Sequence, residues 1–507
     1  NNVVYNWVNR VCDGKPRSMN FVANYYIAGP ATLESQRHLV AEIQPASKYG
    51  YSPRWFIQDN YINGYLAEPS AGTRSPAVVF EEGTTMEKNR VDSPFAHANY
   101  MTRDARNAYE QVLDHAGVIV PHRDGVDKRV IGDVRSGSAA IGNGIVDKVE
   151  EVGGWPELRT FDVPEDSDMD GMPDDWEKAE GLNINDPWDR FWIKEGEEYD
   201  NLERYLNELA SDRPSLLPPI KLVASQEDER KVTLHWKDIT DQEQGFVIQR
   251  SVIGGTFSTI DTVHANKTSF TDFPTRMDRG VEYRVFAIAE GLRSIPSRAV
   301  GIELKSDRAV RLNRQLPAFP QAEGFGAYAL GGRGGKVIFV DNLNDDGPGS
   351  LRAAIQDPEP RIVIFRVSGT IELQSQLLVK HPYITIAGHT APGDGICLKN
   401  YPLKIHRTHD VIVRGIRIRP GAELLKAGGS TDGIAVEFCR NVMVDHCSAS
   451  WSTDEILNTN NRNFDITIQW SIFSESLNNS IQGREHGYAA TLGGKRTSIH
   501  HNLLAHN

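Results

Sequence analysis

Residues 411–418 (VIVRGIRI), 442–449 (VMVDHCSA), 466–473 (ITIQWSIF) and 497–504 (TSIHHNLL) repeat one pattern, an apolar strand crossed by Asn, His and Ser, with starts 24 to 31 positions apart. A chain that alternates apolar and polar residues and turns every two dozen positions, with no helical period between, can bury its apolar side only by stacking coil on coil. The fold class expected is therefore mainly β, built on a parallel β-helix. Such a cylinder displays columns of side chains, a surface suited to an extended polymer.

Two further rungs of this type, NNVVYNWVNR at residues 1–10 and MNFVANYYIAG at residues 19–29, open the chain. Residues 104–116 read as a helix with Ala108, Val112 and Leu113 on one face. Residues 217–304 break into short strands separated by polar turns, which predicts a small β-sandwich with Trp236 and Tyr283 in its core, serving as a spacer. The expected units are residues 1–160 and 324–507 as two parts of one coiled domain, 161–213 as an acidic loop and helix, 216–305 as the sandwich, and 306–323 as a linker.

Across 507 residues the formal net charge is −13, which argues against non-specific nucleic-acid binding. No segment is long and apolar enough to span a membrane. The four cysteines, without CxxC spacing, are expected as buried thiols. A polyanionic ligand would find local compensation in Lys399, Lys404, Arg407, Arg414, Arg417 and Arg419 against Asp410. The chain is expected to be a monomer.

Asp166, Asp168, Asp170, Gly171, Asp174 and Glu177 occupy positions 1, 3, 5, 6, 9 and 12 of a calcium loop. Carboxylates at alternate positions converge on one ion, the glycine permits a sharp turn, and the last Glu can bind through both oxygens. A helix comes after the loop but none precedes it, so a lone structural calcium loop is expected. A second pair, Asp432 in STDGIAVE and Asp454 in WSTDEILN, lies 22 residues apart, about one coil. On neighbouring rungs roughly 4.8 Å apart such carboxylates repel unless a cation bridges them, and calcium fits. Asn458, pointing to the same side as Asp454, would add an amide oxygen.

GFGAYALGGRGG (residues 324–335), DNLNDDGPGSLRAAI, ITIAGHTAPGDGI, VMVDHCSASWSTDE and SIHHNLLAHN resemble, in order, the motifs of pectate lyases of polysaccharide lyase family 1. The likeness runs nearly continuously over residues 324–507, and NFVANYYIAGPAT resembles a later part of the same domain. Residues 217–304 resemble a fibronectin type III domain, and DSDMDGMPDDWEKAEGLNINDP resembles the thrombospondin-type-3-like calcium motifs of secreted bacterial enzymes.

This resemblance implies a right-handed parallel β-helix and calcium-dependent cleavage of pectate (polygalacturonate) by β-elimination. Calcium and basic residues neutralise a galacturonate carboxylate, and an arginine removes the neighbouring carbon-bound proton. It implies Asp432 and Asp454 as calcium ligands, with Asn458 where many members have Asp, and a structural role for Asp445 and His446. Asn478 stands where members often carry a substrate-binding lysine, which leaves Arg484 and Lys495 as candidates for that role. The catalytic residue is unassigned, because the family's RxPR arginine is expected just beyond Asn507. Secretion to a bacterial periplasm, surface or medium is implied by the modules rather than by a signal peptide.

The first rungs resemble the family's segment C-terminal to that RxPR motif, so the chain ends are expected to flank one gap, in a fragment spanning two lyases or in one circularly permuted lyase. In the permuted arrangement residues 1–26 stack on the rung ending at Leu504. Three other readings compete. A non-catalytic polysaccharide-binding or adhesion protein is suggested by the missing arginine and Asn478. A glycoside hydrolase would use Asp432 and Asp454 as its carboxylate pair. A zinc site among His446, His486, His500, His501 and His506 is set aside, because alternation sends His500 and His501 to opposite faces.

Overall fold

The computed structural model describes residues 1–507 except 9–10, 68–76, 99–103, 196, 211–218, 229–230, 239–242, 253–256, 275–279, 290–291, 295–296, 298, 303–308, 311–315, 427, 461 and 482. The junction expected at 213–216 and most of the linker's first half lie outside the described residues.

Each repeated strand is broken in two. His409–Arg414 and Ile416–Arg419 meet at Gly415, and the next three rungs break likewise at His446, Trp470 and His501. These corner residues hold φ of 68°, 50°, 51° and 57°. A left-handed residue interrupts the pleat and swings the chain into another sheet, at a cost that falls on any side chain with a Cβ. Stacking offsets that cost. The His446 and Trp470 rings lie 6.2 Å apart at 11°, and Trp470 and His501 lie 4.4 Å apart at 5°.

Corner by corner the chain enters three parallel sheets in rotation. A first sheet runs from Lys336–Val340 through His409–Arg414, Arg440–Asp445 and Phe464–Gln469 to Lys495–His500. The second takes Ile416–Arg419, Ser448–Ser450, Ile472–Ser474 and Leu503–Ala505, and the third takes Leu403–His406, Ile434–Glu437, Glu455–Asn458 and Tyr488–Thr491. Register repeats without slip: Val411, Val442, Ile466 and Thr497 are successive partners in the first sheet. Inward residues such as Val413, Ile418, Val444 and Ile468 form one continuous buried core.

The second sheet does not stop at the end of the chain. Leu503–Ala505 pairs in parallel with Val3–Tyr5, with Val3 opposite Leu503, and Val3–Tyr5 pairs with Tyr25–Ile27. The stacking of the first residues on the rung at Leu504 is thus present. The other two sheets are interrupted here: among the described residues, Tyr488–Thr491 and Lys495–His500 pair on one side only, while Cys12–Gly14 and Met19–Val22 begin separate small sheets.

Helices Ala105–His115 and Gly125–Ser136 cover this continuous sheet, packing Val112, Leu113, Val130 and Val134 on Val3, Tyr5, Ile472 and Leu503. Asp124 caps the second helix through the Val126 and Asp127 amides and also binds the buried Arg417 and Arg419. The basic run at 399–419 is consequently not a solvated patch: Arg414, Arg417 and Arg419 are buried with Asp445, Asp124 and Asp127, and Lys399 pairs with Glu372.

The acidic loop and helix Asn201–Leu209 lie on the outer face of the first sheet, where Met172, Leu202 and Leu206 meet Ile362 and Ile364. The end of the expected linker belongs to the coiled domain as well, because Ala318, Phe319 and Ala322 pack on Ile412 and Met443. The described part of 220–310 forms two antiparallel sheets around Trp236, Phe246 and Tyr283, the sandwich expected. Cys397, Cys439 and Cys447 are free buried thiols and Cys12 is partly buried.

Candidate metal-binding groove

Strands of the third sheet bring Asp432, just before Ile434–Glu437, beside Asp454 and Glu455 on the next rung. One carboxylate oxygen from each lies within 4.8 Å of the others. The two aspartates expected on adjacent coils therefore do converge, and Glu455, which the sequence reading missed, joins them. Adjacency to Asp454 was its only signal. Burial, then Glu455 and Asp454, push the Asp432 carboxyl up to about 7, and burial raises Glu455 too. Three crowded acids that resist ionisation are what a cation would relieve, so the donor set fits calcium.

Asn458 does not present its oxygen to this cluster. Its Nδ2 donates to Asp432 at 3.2 Å, while its Oδ1 accepts the Asn460 amide at 3.1 Å. His486 is a second residue the sequence reading passed over in this role, with Nε2 2.9 Å from Asp454 Oδ1.

The carboxylates line a groove of about 470 Å³ that also includes Tyr401, Lys404 and Gln376. Lys404 supplies a cation there, held 2.9 Å from Glu437. Arg484 and Lys495 are exposed and line no part of it. Lys495 starts a first-sheet strand opposite Phe464, one sheet removed from the carboxylates. Asp445 is buried as expected, bound to Arg414, Gln469 and His446.

In the acidic loop, Asp166, Asp168 and Asp170 converge, as do Asp170, Glu177 and Asp189, each group within 4.8 Å. Gly171 takes the sharp turn at φ 100°. Asp174 is not among them, because its carboxylate accepts from the backbone N–H and hydroxyl of Ser167, both at 2.8 Å. Asp189 takes a place that the twelve-residue pattern did not reach. Both oxygens of Asp168 and Glu177, with one each from Asp170 and Asp189, are buried without a hydrogen-bond donor. Burial chiefly raises Asp170 to about 8 and Glu177 to about 7. Donorless buried carboxylate oxygens fit a calcium ion.

Comparison with known proteins gives relatives over part of this chain. It is 43% identical over 194 residues to "Probable pectate lyase C" of Aspergillus flavus, covering 38% of this chain and 43% of that protein. It is 32% identical over 187 residues to "Probable pectate lyase 18" of Solanum lycopersicum, covering 32% and 45%. The chain spans less than half the length of the curated relatives it matches. No family model matches it. Among solved structures, pectate lyase Pel3 of Pectobacterium carotovorum aligns at 13% identity over 50% of this chain and 78% of that one, with a TM-score of 0.17. A Fn3-like protein from Clostridium thermocellum aligns at 24% identity over 17% and 90%, with a TM-score of 0.15. The architecture above rests on strand pairing, not on these alignments.

Proposed function

We propose that the chain is a polysaccharide lyase of the pectate lyase type, acting on pectate by β-elimination with calcium. The observation that carries this reading is the meeting of Asp432, Asp454 and Glu455 in a groove that also contains Lys404. The partial relatives named pectate lyases support it. The fold fits a right-handed parallel β-helix formed from residues 1–160 and 324–507, with a fibronectin type III sandwich at 216–305 and a thrombospondin-type-3-like calcium loop within 161–213. Secretion and a monomeric state belong to the same reading.

Asp432, Asp454 and Glu455 would hold calcium, and Asp166, Asp168, Asp170, Glu177 and Asp189 would hold a second, structural ion. Bound in the groove, calcium supplies positive charge beside a uronate carboxylate, which acidifies the adjacent carbon-bound proton. Lys404 adds charge on the same wall, Tyr401 offers a face for a sugar ring, and Asn458 orients Asp432. Among the described residues that line the groove none is an arginine, so the groove residues named here do not include the arginine base of this reading. That keeps a second reading alive, calcium-dependent binding of acidic polysaccharide without cleavage. Polygalacturonate incubated with the chain, with and without calcium, separates them: unsaturated products absorbing in the ultraviolet are expected from the lyase, retention without product from the binder, and neither reading would survive calcium-independent release of reducing ends.

A further inference from the structure

We propose that Glu323, His500 and His501 form a buried site for a zinc-class divalent cation, separate from both carboxylate clusters. The alternation argument against this pair fails at the corner. His501 has φ 57°, so its ring turns back toward His500 instead of away, and the two Nδ1 atoms stand 2.8 Å apart. Glu323 Oε2 is 4.0 Å from His500 Nδ1, and all three ligand atoms lie within 4.8 Å of one another.

The donor set selects the metal. Two imidazoles and one carboxylate suit a borderline cation such as zinc, whereas calcium prefers oxygens throughout. Exposures of 3%, 5% and 0% for Glu323, His500 and His501 shield the site from bulk solvent, and one bound water would complete the tetrahedron. Surrounding groups hold the ligands in place. Gln469 accepts the Glu323 backbone N–H at 3.1 Å and donates to Asp445 at 2.8 Å, and the His501 ring is stacked on Trp470. Without metal, the two Nδ1 atoms share one proton. On loading, the ring carrying it adopts the Nε2–H tautomer, which frees both Nδ1 lone pairs. Two nitrogens at about 2.0–2.1 Å from a tetrahedral ion stand roughly 3.3 Å apart, so the pair opens by about half an ångström. Glu323 comes from the segment lying over the first sheet, and the ion would therefore tie that segment to the coil stack.

The test is titration of the chelator-stripped full chain with cobalt(II), monitored by visible absorption. An intense tetrahedral ligand-field band that saturates at one equivalent and disappears on adding zinc is expected. Only the weak octahedral spectrum that oxygen-ligand sites give would overturn the proposal. His500→Ala should abolish the band, and Glu323→Gln should weaken cobalt affinity at least about tenfold. A band unchanged in both variants would equally overturn it. The wild-type spectrum requires no variant and decides the matter even where a variant fails to fold.

Discussion

The Asn502 side-chain amide donates to the Asn2 side-chain oxygen at 3.1 Å, across 500 positions of sequence. This bond is one rung of a ladder. Asn502 also accepts the Ser471 amide and donates to the Ile468 carbonyl, while Asn2 donates to Asn24 and Asn24 to Asn60. Asparagine serves this position because one planar side chain satisfies backbone groups that a bend leaves unpaired inside the core. Asn502→Ala strands several such groups, so a loss of about 2–3 kcal/mol is expected in urea unfolding. A change below about 0.5 kcal/mol would show that the ladder is ornamental.

The carboxylate clusters set a pH dependence. Without a cation, Asp170 sits at about 8 and Glu177 and Asp432 at about 7, all above the unfolded carboxyl range near 4. The folded state then binds more protons, so the stability these groups contribute is present below about pH 4 and is lost as pH rises through about 7 to 8. In calcium-free buffer the melting temperature should fall from about pH 5 to about pH 8.5, and saturating calcium should remove that fall. A calcium-free curve that rises over this range contradicts the clusters as described.

The two proposed calcium sites should separate by mutation. Glu177→Gln is expected to reduce the calcium-induced gain in melting temperature and leave calcium-dependent retention on polygalacturonate intact. Asp432→Asn should do the reverse, with at least about a hundredfold loss of any lyase turnover, the scale of removing one electrostatic stabiliser. Identical effects of the two variants would mean one coupled site.

Asp124 joins two tasks, capping helix Gly125–Ser136 and neutralising Arg417 and Arg419. The guanidinium groups hold its carboxyl well below the usual range. Asp124→Ala leaves buried arginine charge beside Asp127 alone, and a cost of about 3–5 kcal/mol is expected by chemical denaturation. Replacement of Arg419 by Met should cost less if the cap matters more than the ion pair.

The period of roughly two dozen residues was enough to fix a stack of coils, because only stacking buries a one-sided strand repeat too short to hold a helix. The sandwich core at Trp236 and Tyr283, the helix at Ala105–His115 and the pairing of Asp432 with Asp454 were legible for the same reason: spacing alone places them. Left-handed corners were not legible. Trp470 and His501 bend where sequence rules expect straight strand, since what stabilises each corner is the ring on the next rung, a neighbour 24 to 31 positions away. Partner choice was equally hidden. Arg417 and Arg419 read as a surface patch until the segment carrying Asp124 and Asp127, from the other end of the chain, covers them, and Arg414 does so until Phe319 lies on it, while Asp174 turns to Ser167 and Asp189 arrives from outside the loop pattern. A linear pattern records which residues share a face; which charge meets which is set by elements that come together only when the chain folds.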